Sequence, residues 1–122
     1  MDIAKYSRDK LLEPKPFTPI APDGKKLDDI KIYIISTKSD EGLEFYNRYL
    51  KEQGGNEPDL IKGREYDIEL ASLIIDRFEG VKVDGKELES TPENIKYLVT
   101  NFDFIRIQAI NQAKEDAFFF SE

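Results

Sequence analysis

The chain has 122 residues, carries 18 lysines and arginines against 25 aspartates and glutamates, and contains neither histidine nor cysteine. One domain is expected at this length, and the missing residue types exclude disulfides, thiolate nucleophiles, imidazole bases and zinc–cysteine sites. The net charge of −7 disfavours binding to nucleic acid or to an anionic membrane, and no apolar run in the sequence approaches the ~20 residues of a membrane span.

The beginning of the chain is rich in proline, with four of the six prolines between residues 14 and 22. Each proline restricts its own backbone and keeps the residue before it out of the helical region, so this stretch is expected to be extended. The sequence therefore predicts an extended, proline-rich N-terminal arm over residues 1–29 and a single α+β domain over residues 30–122.

A strand is predicted at residues 30–36, because isoleucines alternate there with other residues and therefore share one face. A helix is predicted to follow at residues 40–53, with Ser39 as its N-cap and acidic residues in its first turn. The apolar face of this helix is broadened by Phe45 and Tyr49. Such a face is expected to contact the core or an interface rather than a small ligand.

The segment after a predicted loop is ambiguous at its start. Residues 65–70 alternate like a strand but also follow helical spacing, so the pattern alone leaves both structures open. The length of the apolar pattern favours a helix over residues 65–78. Immediately afterwards, Asp84 and Gly85 lie between short β-prone pieces and predict a small turn or hairpin.

Two more helices are predicted, at residues 92–100 and 103–118. Ser90 and Thr91 are alternative N-caps for the first, and Asp103 is placed to open the second. The apolar positions of the last helix cover too wide an arc for an isolated surface helix. We therefore expect it to pack on more than one neighbour, within a fold that has a small β element and a mainly helical second half.

The chemistry of enzymes and of cofactor sites is not indicated. The sequence lacks a phosphate-binding glycine loop and a calcium-binding loop. Its densest carboxylate groups, at residues 28–29, 40–41 and 87–89, are explained by a turn, a helix start and a strand edge, and its arginines are scattered. We predict no catalytic, cofactor-binding or metal site, and no nucleic-acid or membrane partner.

Binding of a protein partner is the remaining class of function. Several bulky apolar residues exceed what the interior of a short chain is expected to accommodate. The candidate partner-binding residues are Phe45, Tyr49, Phe104, Ile107, Phe118 and Phe119.

One stretch, from Glu69 to Asn94, has a specific order of features: ELASLIIDRFEGVKVDGKELESTPEN. A helical pattern ends in the aromatic Phe78, and a Gly-Val step, an Asp-Gly-Lys turn, a Thr-Pro-Glu-Asn start and a short helix follow. This order resembles that of tail assembly chaperones of long-tailed bacteriophages. The earlier half is similar to that family as well, with a proline-containing opening, one strand and an amphipathic helix.

The resemblance implies a non-enzymatic function without a cofactor. Chaperones of this family bind the long, aggregation-prone tape measure protein while the tail tube assembles around it. The implied location is the cytoplasm of the bacterial host, with absence from the mature virion. The alternative is a structural protein of the phage particle, such as a tail completion or head–tail joining protein, which would remain in the virion.

The end of the sequence contains three consecutive phenylalanines, at residues 118–120. One explanation is that Phe118 and Phe119 fold back onto the helices, because exposing them would be costly. The other follows from the resemblance, since chaperones of this family are often made in a second, longer form by ribosomal frameshifting. The expected partners are therefore the tape measure protein, the chain itself as a homo-oligomer and a longer frameshifted form.

Overall fold

The computed structural model describes residues 1–121, which form an α+β fold, as predicted. A three-stranded antiparallel sheet lies against the helices, and a two-stranded hairpin projects from the connection between sheet and helices. In chain order the elements are a 3-10 helix (Ala4–Tyr6), α1 (Asp9–Leu12), β1 (Lys15–Phe17), β2 (Lys31–Ile34), α2 (Asp40–Gln53), α3 (Leu60–Ile74), β3 (Ile75–Glu79), β4 (Lys82–Val83), β5 (Lys86–Glu87), α4 (Pro92–Asn101), α5 (Asp103–Lys114) and α6 (Asp116–Phe120).

The strand β2 is the centre of the sheet, in the order β1-β2-β3. Ile32 is paired with Phe17 of β1 on one side and with Phe78 of β3 on the other, and all three side chains are buried. The alternating isoleucines therefore face the core, as their spacing predicts. On the opposite face of the sheet, the guanidinium carbon of Arg77 lies 3.7 Å from the centre of the Tyr33 ring. The Arg77 side chain therefore covers part of this ring.

Residues 1–29, predicted as an extended arm, contain a 3-10 helix, α1 and β1. Their prolines do keep the chain extended, but the extended segment pairs with β2 as β1, and Leu11 and Phe17 are buried. Pro16, which has no N–H, lies on an edge strand, where a missing donor is tolerated. The Nζ of Lys15 donates to the main-chain oxygens of Phe118 and Ser121, which attaches this segment to the last helix.

The helix predicted at residues 65–78 is wrong at both ends. α3 begins at Leu60, where Asp59 accepts a hydrogen bond from the N–H of Lys62, and it ends at Ile74. The chain then continues without a break as β3, because pairing with β2 satisfies the backbone groups of these residues. The open question at residues 65–70 is answered, since these residues are helical.

The helix predicted at residues 40–53 is observed at Asp40–Gln53, and Ser39 caps it by accepting from the N–H of Gly42. The helix predicted at residues 92–100 is observed at Pro92–Asn101. Thr91 is its N-cap, whereas the Oγ of Ser90 accepts a hydrogen bond from the N–H of Phe78. Of the two alternative caps, Ser90 therefore connects the helix start to β3.

The helix predicted at residues 103–118 is divided into α5 and α6. Glu115 leaves the helical conformation (φ −92°, ψ 106°), which changes the chain direction. This break lets Phe119 enter the core while α6 packs on α1. Asp103 makes no capping hydrogen bond, and it pairs instead with the buried Arg106 at 2.9 Å.

The residues that carry the family resemblance form the connection from β3 to α4. Phe78 and Val81 are buried, and Asp84-Gly85 turns the β4–β5 hairpin as predicted. At Gly80 a Cβ atom would lie only 1.8 Å from the main-chain oxygen of Asp29, so no other residue fits without moving the backbone. These motif residues are therefore explained by their role in the fold.

Candidate partner-binding surface

The structure separates the six residues predicted to bind a partner. Phe45 and Phe119 are core residues, each 4% exposed. Tyr49, Phe104 and Phe118 are half-buried, and Ile107 is 52% exposed. Phe45 lies near Tyr49 on α2, and Phe118 contacts Phe119 on α6. The six residues thus do not form one continuous exposed surface.

An aromatic cluster joins α2 to α3. The ring centres of Tyr49 and Tyr66 are 4.8 Å apart, and Phe45 lies 6.1 Å from Tyr66. The hydroxyl of Tyr66 donates to the carboxylate of Glu52 at 2.6 Å and accepts from the side-chain amide of Gln53 at 2.9 Å. These ring contacts and hydrogen bonds hold α2 and α3 together at this point.

A cleft of about 240 Å³ opens beside this cluster, where α2, α3 and the end of α5 meet. We call it the α2–α3 cleft. Its lining is mainly aromatic and apolar, with one carboxylate and one ammonium group at the surface: Phe45, Tyr46, Tyr49, Pro58, Gly63, Tyr66, Asp67, Leu70 and Lys114.

Exposed leucines are also present on both helices that form the α2–α3 cleft. On α2, Leu43 and Leu50 are separated from Tyr46 by three and four positions, a spacing that puts all three on one face. Leu50 is 63% exposed. On α3, Leu60 shares a face with Gly63 and is 93% exposed. Isolated exposed leucines are ordinary, but leucines on both sides of an aromatic cleft indicate a binding surface.

The charge around the α2–α3 cleft is negative. Residues 40–69 contain nine acidic and four basic side chains, so this helical pair carries −5 of the chain's −7. Burial, together with the negative charge of Asp67, raises the pKa of Tyr46 above its ordinary value. Tyr46 is therefore a neutral hydroxyl at physiological pH, placed between the apolar lining and a carboxylate.

A second groove, of about 720 Å³, separates α5 from residues 20–22. Phe104 and Gln108 of α5 line it, and Ile107 lies on the exposed side of the same helix. The side-chain amide of Gln108 holds the main chain of Ile20 across this groove. The predicted residues on α5 therefore border a groove of their own, distinct from the α2–α3 cleft.

Sequence reasoning identified the apolar face of α2 but missed Leu60 and Gly63. Leu60 lies in the first turn of its helix, and Gly63 has no side chain, so neither contributes to an apolar periodicity. Both residues also precede the helix predicted at residues 65–78, so the glycine was not recognised as lying inside a helix.

Residues 1–121 contain no group of three or more acidic side chains arranged to hold a metal ion. None of the helices within that range has both the length and the apolar character needed to cross a membrane.

Comparison with protein-family models, with curated proteins and with solved structures found no match for this chain.

Proposed function

We propose that this protein is a bacteriophage tail assembly chaperone that binds the tape measure protein and keeps it soluble while the tail tube assembles. In this proposal it acts without catalysis or a cofactor in the cytoplasm of the bacterial host and is absent from the mature virion. The family resemblance between Glu69 and Asn94 suggests the partner. The α2–α3 cleft is the observation that carries the proposed activity.

The chemistry of the cleft suits a chaperone for a helical protein. A helical partner that aggregates does so through exposed apolar side chains, and covering them requires a complementary apolar surface. Leu50 and Leu60 are exposed apolar groups on α2 and α3, the two helices that supply the aromatic lining of the cleft. The acidic side chains around them keep such a complex soluble, because proteins with a large net charge repel one another.

Co-expression tests the proposed binding. The partner to use is the product of the longest open reading frame near this gene, since a tape measure protein is unusually long. We expect the tagged chain to retain that product and to increase its soluble fraction several-fold. Failure to retain it, or an unchanged soluble fraction, would contradict the proposal. Light scattering of the isolated chain measures whether it also self-associates.

Purified phage particles separate the proposal from the alternative of a structural virion protein. Mass spectrometry should find the chain absent or strongly substoichiometric relative to the tail tube protein. Stoichiometric presence would instead identify a tail completion or head–tail joining protein.

The same proposal includes a longer, frameshifted form of the chain. The nucleotide sequence that encodes residues 118–120 tests it, because codons that interrupt the uridine run would exclude slippage there.

A further inference from the structure

We propose that the α2–α3 cleft docks the apolar face of a basic amphipathic helix belonging to a protein partner. The inference rests on the proposed function in one respect, namely that the protein binds a helical partner. The inference adds the place where that helix binds and the sign of the charge that the helix carries.

The first observation is that Gly63 lies at a position where the backbone does not require a glycine. Five of the seven glycines have a positive φ, and at Gly42 a Cβ would lie 2.1 Å from the main-chain oxygen of Thr37. Neither a positive φ nor a close backbone contact explains the glycine at position 63. Gly63 lies within α3, and a Cβ atom there would have the side chain of Pro58 as its only neighbour, at 3.8 Å. A glycine inside a helix lowers its stability relative to alanine. What the glycine provides here is space in the α2–α3 cleft.

The apolar groups that border this space match the face of a helix. Leu43, Tyr46 and Leu50 of α2 are spaced at i, i+3 and i+7, and Leu60 and Gly63 of α3 are spaced at i and i+3. Tyr46 of the first row and Gly63 of the second line the cleft. Two rows of this kind, one from each helix, can pack against apolar residues with the same spacing on a third helix. The occupant is therefore a helix rather than a small molecule.

The charge of the surroundings determines the charge of the occupant. Two of the four basic residues between positions 40 and 69 are already paired with carboxylates, Arg48 with Glu69 and Lys62 with Glu65. Asp67 and Lys114 both line the cleft. Glu52, which accepts from the Tyr66 hydroxyl, and Glu57, which precedes Pro58, add two carboxylates, so acidic groups outnumber the one ammonium group of the lining. Lysines and arginines on the polar face of a docked helix would lie near these carboxylates, whereas acidic residues there would be repelled.

The test uses the full chain and two synthetic amphipathic helices about five turns long. Both peptides have the same leucines at i, i+3, i+4 and i+7, and their remaining positions are lysine in the basic probe and glutamate in the acidic probe. Fluorescence anisotropy should detect binding of the basic probe, with an affinity that falls as salt is added. Equal binding of the two probes would overturn the proposal.

Variants locate the binding site. Gly63→Leu fills the cleft, and Leu50→Ser and Leu60→Ser remove exposed apolar groups without disturbing the core. Each should weaken binding of the basic probe at least about tenfold. Ile20→Ser is the matched control, because Ile20 is 51% exposed but lies beside α5, in a different groove. Asp67→Asn should weaken binding more than Glu87→Gln, which removes the same charge from β5.

The outcomes separate this inference from the proposed function. If the chain retains the tape measure protein and Gly63→Leu retains it equally well, the cleft is not the docking site and the proposed function stands. If the basic probe binds in the cleft but the tape measure protein is not retained, the proposed function fails and the inference stands. Unchanged binding of the probe to Gly63→Leu and Leu60→Ser, in variants that fold by circular dichroism, would overturn the inference.

Discussion

The side chain of Gln108 makes both of the hydrogen bonds to Ile20 that a neighbouring strand would make. Its Oε1 accepts from the N–H of Ile20 at 2.8 Å, and its Nε2 donates to the carbonyl oxygen of the same residue at 2.7 Å. A single amide on α5 thus satisfies both backbone groups of Ile20, and it fixes the segment that follows β1 against the helix.

Replacing Gln108 should loosen this segment. We expect Gln108→Ala to lower the free energy of unfolding by about 1–2 kcal/mol, measured by urea denaturation, since two hydrogen bonds at a partly exposed site are lost. Gln108→Glu keeps the acceptor but places a carboxylate against the carbonyl oxygen of Ile20. Gln112→Ala, one turn later on α5, is the control, and an equal effect of the two alanine variants would contradict this role.

The buried Arg106 should contribute more to stability than its ion pair suggests. Its Nη1 donates to the carbonyl oxygen of Val99 at 2.7 Å, while its partner Asp103 is 69% exposed. Arg106→Ala should therefore cost about 2–3 kcal/mol, from lost packing of the side chain and the lost hydrogen bond in the interior. Asp103→Asn should cost less than about 1 kcal/mol, because the carboxylate is mostly solvated and asparagine keeps an oxygen that can accept from Arg106. Similar losses in both variants would show that the ion pair dominates.

Phe119 and Phe118 should contribute differently to the free energy of unfolding, although they are adjacent in the chain. Phe119 is buried in the core, whereas Phe118 is half-buried beside Lys15. Phe119→Ala should lower the free energy of unfolding by about 3–5 kcal/mol, the usual result of truncating a buried phenylalanine. Phe118→Ala should cost clearly less. Equal losses in urea denaturation would mean that α6 docks as a whole rather than through one anchor.

The pKa of Tyr46 offers a spectroscopic test of the α2–α3 cleft. Absorbance titration at alkaline pH, with Tyr46→Phe subtracted, should place its pKa above that of a free tyrosine. Asp67→Asn should lower that pKa only in part, because burial is the larger cause. Since the folded state holds this proton more tightly than the unfolded state, Tyr46 should reduce stability as the pH rises above about 10. A Tyr46 that titrates like free tyrosine would contradict this description of the cleft.

Gly63→Ala should make the free protein more stable and the complex weaker. The Cβ at this position has room, so alanine should raise the free energy of unfolding by about 0.5–1 kcal/mol through improved helix propensity. Binding of the basic probe should decrease, although less than with Gly63→Leu. A loss of stability in Gly63→Ala would show that this glycine has a structural role instead.

The elements that were predicted correctly are those whose signals are local. Ser39 and the acidic turn after it mark the start of α2, and Thr91 followed by proline marks the start of α4. β3 was not predicted, because Ile74 and Phe78 continue the helical spacing of Leu70 and only pairing with the distant β2 makes those residues a strand. The break at Glu115 contains neither glycine nor proline, so the sequence offered no local signal for it.

The candidate site could be predicted only in part, for a related reason. Aromatic residues on α2 were recognised as a binding or core face, but Phe45 is buried under the neighbouring helix. Which side of an apolar face is covered depends on helices that are distant in sequence. Leu60 became visible as part of a surface only when α3 was placed beside α2, because one leucine at a helix start has no periodicity.

The contact between Lys15 and the last helix also has a consequence for synthesis of the chain. The Nζ of Lys15 binds main-chain oxygens more than a hundred residues later, at Phe118 and Ser121. When β1 leaves the ribosome, these acceptors do not yet exist, and closing so long a loop is slow. The contact with the last helix therefore forms only after synthesis of the chain has reached Ser121, and until then β1 has its pairing with β2 alone.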